Sequence, residues 1–236
     1  MMPDLNPDDF DAVLFDLNGT FMFGQDRFGP DEQYGATYRA LGGDGLSDDE
    51  IRTIVDAAIH DLTEKYHDSA WHDRYPGVPE TLRALPETRH LPPPEITLVT
   101  DVIACHELGD IDADHVAALH RFARSHRIGI VSNIWSPKRR WLDRLAERGL
   151  LELFATIVFS SDGPNMKPSP VLFEQARDTL DLPPDRILFV GDDPVFDIEG
   201  AGALGMRTVL VGEAENGSIT PDWRFRDVPH LAASHW

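Results

Sequence analysis

Cysteine is nearly absent from this chain. Cys105 is the only one in 236 residues, so no intramolecular disulfide can form. Lysine is almost as scarce, and Lys and Arg together number 21 against 41 Asp and Glu, a formal net charge of −20. A field of that sign repels nucleic acid and anionic lipid, so neither is expected as a partner. It fits a solvated acidic surface or a high-salt origin, and it does not exclude a local anion site built around a metal. No apolar run approaches the roughly 18 residues that a membrane-spanning helix needs, so no membrane partner is expected either. The start of the chain, Met1 to Asp9, is acidic and polar, without the basic stretch and apolar run of a signal peptide. With a single cysteine, this points to a cytoplasmic protein.

Apolar residues make up 42% and charged residues 26%, a globular composition long enough for one core with an insertion. Short apolar runs alternate with amphipathic stretches. Strands are expected at Asp11–Asp16, Ile128–Ser132, Phe154–Phe159, Ile187–Gly191 and Thr208–Val211. Helices are expected from Asp112 or Asp114 to Ser125, from Pro137 to Arg148, from Pro168 to Leu180, and after Gly191 through Leu204. Such alternation means a parallel sheet covered on both faces, a doubly wound α/β fold. Residues from about 22 to 110 break the pattern. Ser47 and Glu50 form a capping box that opens a helix to about residue 66, prolines then divide the chain, and Ile96–Glu107 reads equally as helix or strand.

In an open parallel sheet, ligands bind beyond the carboxyl ends of the strands. Four polar groups fall there: Asp16 in Phe15-Asp16-Leu17-Asn18-Gly19-Thr20, Ser132-Asn133, Lys167 before Pro168, and Asp192-Asp193 with Asp197. Each alone is an ordinary turn or cap residue. Together, in this order and strand context, they are far more specific. Carboxylates and carbonyls suit a hard cation such as Mg²⁺, a carboxylate can act as a nucleophile that carries a phosphoryl group, and a hydroxyl, a backbone N–H and a lysine can bind the other phosphoryl oxygens.

Over residues 11–23 and about 112–212 the chain resembles the haloacid dehalogenase superfamily. The resemblance implies a Rossmann-like parallel core from 1–22 and 111–236, with an inserted helical cap at 23–110. It implies Mg²⁺-dependent hydrolysis of a small phosphorylated molecule through an aspartyl-phosphate. Asp16 aligns with the nucleophile, and Asp16, the main-chain carbonyl of Asn18 and Asp192 with the metal ligands. Thr20, Ser132, the N–H of Asn133 and Lys167 align with the groups that support or bind the phosphate, and Lys167 also neutralises the nucleophile. Asp193 and Asp197 complete the acidic fourth motif. The loop from Phe21 to Gly29 aligns with a mobile flap.

One position departs from the pattern of the family's phosphatases, which carry a second Asp where this chain has Asn18. That Asp protonates the leaving group and then activates water; an amide does neither. General acid–base catalysis is worth about 10²–10⁴-fold, or roughly 3–5 kcal/mol. Three readings follow: a phosphatase whose leaving group needs little protonation, a catalytically impaired protein that binds a phosphorylated ligand or a protein partner, and a 2-haloacid dehalogenase, which needs no metal. The acidic fourth motif weighs against the third.

Other residues carry weaker expectations. Arg27 is read as solvated or as a contact for a substrate anion. Trp135 either lines the pocket or packs under the next helix. His60, His67 and His72 are unevenly spaced, as surface or core residues rather than zinc ligands. Lys138-Arg139-Arg140 is read as the solvated face of a helix.

Overall fold

The computed structural model describes residues 5–214 and 217–236. The reading of the N-terminus as leaderless falls partly on residues 1–4, outside the described residues. Strand β1, Ala12–Phe15, is followed by a helical insertion: α1 (Tyr34–Ala40), α2 (Asp48–Tyr66), α3 (Val78–Ala84) and α4 (Pro93–Glu107). The chain then alternates through α5 (Ala113–Phe122), β2 (Arg127–Ser132), α6 (Arg139–Glu147), β3 (Phe154–Phe159), α7 (Pro170–Leu180) and β4 (Ile187–Gly191). A π-helical turn, Pro194–Glu199, leads into α8 (Gly200–Ala203), and the chain ends with β5 (Arg207–Val211), β6 (Trp223–Phe225) and α9 (Val228–His235). Among the described residues no helix is long and apolar enough to cross a membrane.

The strands form one parallel sheet in the order β3-β2-β1-β4-β5-β6. This is the doubly wound α/β arrangement that the alternation predicts. The last strand and helix were not legible, because a three-residue strand is too short to show a period. Ile96–Glu107, ambiguous in sequence, belongs to a helix. Pro93 and Pro94 fix its first turn, and Ile96, Val99, Val102 and Ile103 are buried at helical spacing. Asp112, not Asp114, caps α5, accepting from His115 N at 2.9 Å. The capping box at Ser47 and Glu50 opens α2.

β1 is buried along its whole length and divides the core by alternation. Val13 and Phe15 pack with α5, α6 and α9 on one face, through Phe122, Trp141, Leu145 and Leu231. Ala12 and Leu14 pack with α7 and α8 on the other, through Phe173, Ala176 and Ala201. The four helices of the insertion bury a third apolar cluster that includes Tyr38, Leu62, Val99 and Ile103.

The two connections to the insertion run side by side. Phe23 and Asp110 exchange backbone hydrogen bonds of 2.8 Å in each direction. Arg27 is exposed, as expected of a solvated residue, but its guanidinium is engaged: it donates to the carbonyls of Gly24, Cys105 and Leu108 and fastens one connection to the end of α4. Asp110 accepts from Arg148 and pairs with Arg144, which hold its carboxyl down at about 2. The basic run at 138–140 is matched by acids, Lys138 to Asp162 and Arg140 to Asp101.

Phe122 is fully buried and meets the Phe15 ring at 5.2 Å, one residue before Asp16. Phe122→Ala is expected to cost about 3–5 kcal/mol of unfolding free energy, read in urea as a lower midpoint at unchanged slope.

Candidate active site

Register brings the site together. Phe15 pairs with Ile130 of β2 and with Val190 of β4, so the next residue, Asp16, emerges between the two strand ends. Ser132 and Asp192 each lie two residues beyond those partners and reach the same edge. The order of strands reverses at β1, and ligands of doubly wound sheets bind at that switch point.

Asp16 is 5% exposed and heavily engaged. Its Oδ1 accepts from Lys167 Nζ at 2.5 Å and from Ser132 Oγ at 2.9 Å. Its Oδ2 receives only a longer bond from Thr20 Oγ1, at 3.3 Å. Thr20 bridges to Asp192 Oδ1 at 2.9 Å. Lys167 Nζ also donates to Asp197 Oδ1 at 2.6 Å. Asp197 Oδ2 accepts from the N–H groups of Asp192 and Asp193, at 3.1 and 3.0 Å, which fixes the turn after β4. Asn133 ties the loop of Lys167 to β2: Lys167 N donates to its Oδ1 at 2.8 Å, and its Nδ2 donates to the Lys167 carbonyl at 3.2 Å.

Seven of the sequence-predicted residues therefore meet in one network: Asp16, Thr20, Ser132, Asn133, Lys167, Asp192 and Asp197. Asp193 turns its carboxylate to the N–H groups of Val195 and Phe196 and caps the π-helical turn. Asn18 lines the cavity, and its side-chain Oδ1 is buried with no hydrogen-bond partner.

The electrostatics follow from burial and crowding. Burial raises Asp192, and the negative charges of Asp16 and Asp197 raise it further. Burial also raises Asp197, against the pull of the Lys167 ammonium. Burial pulls Lys167 down, but Asp16 and Asp197 outweigh it and hold the amine above its ordinary range. Oxygens of Asp16, Asp192 and Asp197 lie within 4.8 Å of one another. Three carboxyls against one lysine leave surplus negative charge, and all the donors are oxygen, which suits a hard divalent cation. Both oxygens of Asp197 carry shorter hydrogen bonds than Asp16 Oδ2 does, so Asp16 and Asp192 are the carboxylates better placed to hold one. Among the described residues no histidine joins such a cluster.

Glycine makes the close approach possible. Gly19 has φ +82°, and a Cβ there would fall 2.4 Å from Asp192 Oδ2. The cavity over Asp16 measures ≈ 260 Å³. Trp135 lines it, as do Tyr66, Glu107 and Asp26, three residues that sequence reasoning did not single out. Tyr66 and Glu107 lie on the helices of the insertion and Asp26 in its first connection, and nothing in their spacing marks them. Glu107 is 2% exposed and accepts from the N–H groups of Trp135, at 2.5 Å, and Ser136, at 2.9 Å.

Known proteins share this fold. Among solved structures, an HAD phosphatase from Thermococcus onnurineus superimposes with a TM-score of 0.62 at 23% identity, over 95% of this chain and 97% of its own. A 2-haloacid dehalogenase from Pseudomonas syringae superimposes with a TM-score of 0.64 at 22% identity, over the same shares. At that identity both show the fold alone. In sequence, the chain is 35% identical over 88 residues to pyrophosphatase PpaX of Halalkalibacterium halodurans, covering 35% of this chain and 40% of that protein. It is 32% identical over 89 residues to a phosphoserine phosphatase of Thermus thermophilus, 36% of each chain. These matches span well under half the length of the relatives. The model of the haloacid dehalogenase-like hydrolases matches residues 10–205, from the first strand through the acidic turn after β4, and the chain belongs to that family of hydrolases.

Proposed function

We propose that this protein is a Mg²⁺-dependent phosphatase that works through an aspartyl-phosphate on Asp16, with the helical insertion as a cap over a small phosphorylated substrate. The observation that carries the reading is Asp16 itself, a nearly buried carboxylate with Lys167 and Ser132 on one oxygen and the other only lightly engaged. In the first step a carboxylate oxygen bonds to phosphorus, and the bond from phosphorus to the leaving oxygen breaks. In the second, water attacks phosphorus and frees Asp16 and inorganic phosphate. Lys167 offsets the charge of both partners, and the Ser132 hydroxyl and the Asn133 N–H donate to phosphoryl oxygens. Asp16, Asp192 and the main-chain carbonyl of Asn18 would hold Mg²⁺, which neutralises charge on the transferring phosphoryl group. Tyr66 and Trp135 wall the chamber and exclude water from the acyl phosphate.

Asn18 limits the leaving groups. With no carboxylic acid at that position, substrates that need no proton from the protein are favoured: anhydrides, acyl and aryl phosphates, or esters with an acid of their own. Asp192 beside Asp16 favours this reading over a dehalogenase, where an acid placed to hold a cation has no task.

A phosphate-release panel with Mg²⁺ tests the proposal. Acetyl phosphate and p-nitrophenyl phosphate are expected to be turned over by the unaltered protein and not by Asp16→Asn. Asn18→Asp is expected to raise turnover of alkyl phosphates by about 10²-fold or more. Silence from the unaltered protein with activity in Asn18→Asp would instead establish a binding protein that has lost its acid. Gly19→Ala is expected to push Asp192 aside and weaken Mg²⁺ by about tenfold or more, read by calorimetry independently of turnover.

A further inference from the structure

The chamber above Asp16 is short of positive charge. Among the described residues that line it, Lys167 is the one lysine or arginine, and its ammonium is shared between Asp16 and Asp197. Of the other lining groups, only His67 can become cationic by taking up a proton. Two acidic residues from outside the core line the same space. Glu107 is buried at the end of α4, and Asp26 stands at the mouth in a left-handed conformation, φ 53°. Burial pushes Glu107 up to about 7, and the charge of Asp26 adds to the rise. An aromatic group lines the same cavity, with the Tyr66 ring centred 4.7 Å from Phe196 and 5.7 Å from Trp135.

This lining sorts leaving groups by charge. A carboxylate or second phosphate would meet two carboxyls and no free lysine or arginine. An uncharged alkyl chain would desolvate Asp26 without giving it a partner, Glu107 being already bonded to the N–H groups of Trp135 and Ser136. A protonated amine would pair with the carboxyls and lie against aromatic faces. Resting on the phosphatase reading above, we infer that the substrate is a phosphate monoester whose alcohol carries a protonated amine near the ester oxygen.

Such a substrate also supplies what Asn18 lacks. As an Asp16 oxygen bonds to phosphorus, the ester P–O bond breaks with its electron pair on the departing oxygen. A proton moves from the substrate's ammonium to that oxygen. The amino alcohol leaves uncharged, and the phosphoryl group stays on Asp16.

Affinity and turnover separate this inference from the reading beneath it. With Mg²⁺ present, calorimetry on Asp16→Asn is expected to rank 2-aminoethyl phosphate about tenfold or more tighter than propyl phosphate, and carboxymethyl phosphate weakest. Asp26→Asn in the same background is expected to shrink the amine-over-propyl ratio by about tenfold. On the unaltered protein, 2-aminoethyl phosphate is expected to turn over about tenfold or more faster than 2-(trimethylammonio)ethyl phosphate, which keeps the charge but has no N–H proton. Equal affinities, or a preference for the carboxylated probe, would overturn the inference. Equal turnover of the two ammonium esters would overturn the proton delivery. Turnover of neutral esters without an amine preference would leave a phosphatase and remove the inference. The expected affinity order with no turnover of any ester would leave the amine chamber and remove the phosphatase. No binding of any probe would remove both.

Discussion

The ammonium of Lys167, held between Asp16 and Asp197 and almost wholly buried, is the interaction on which the site depends. Taking three charges out of water is costly, and the attraction among them repays that cost only when the geometry is good and the remaining lone pairs are satisfied. Here they are. Ser132 and Thr20 donate to Asp16, and the turn after β4 donates to Asp197. Removing one member leaves an uncompensated buried charge, so the cluster rigidifies what it joins. It joins three separate places, the end of β1, the loop before α7 and the turn after β4. The sheet edge is therefore organised before any substrate arrives, and in the proposed phosphatase reaction a developing phosphoryl charge would meet fixed donors rather than groups that must reorient.

The helical insertion is stitched to the loops that carry this cluster. Met166 N donates to the His72 carbonyl, Tyr75 N to that of Pro164, and Val78 N to that of Trp135. Glu107 receives the N–H groups of Trp135 and Ser136, just beyond Ser132 and Asn133. The chamber walls and the loop after β2 are thus positioned by the same hydrogen bonds. Arg27 and the Asp110 ion pairs hold the two connections together at the root of the insertion. In the proposed scheme the acid missing at Asn18 and the carboxyls in the chamber both bear on the leaving group, which must suit both.

The sequence by itself determined the α/β core and its strand ends. Short apolar runs at the strands, amphipathic helices and the capping box are local signals, and local physics writes them into short windows. It also pointed to residues that meet around Asp16: Asp16, Ser132, Asn133 and Asp192 lie at or just after strand ends, which converge in a parallel sheet, whereas Lys167 lies eight residues beyond β3. It did not settle Ile96–Glu107, where an apolar run fits either period, and it did not reveal β6, which is too short to show one. Only the tertiary structure decided the rest. It gave Arg27 backbone carbonyls as partners, turned Asp193 into a cap, and spent both oxygens of Asp197 on other groups. It brought Tyr66, Glu107 and Asp26 over Asp16. Those three are far apart in the chain and share no spacing, and their meeting is fixed by how the insertion packs onto the core, a long-range property that no short window of sequence contains.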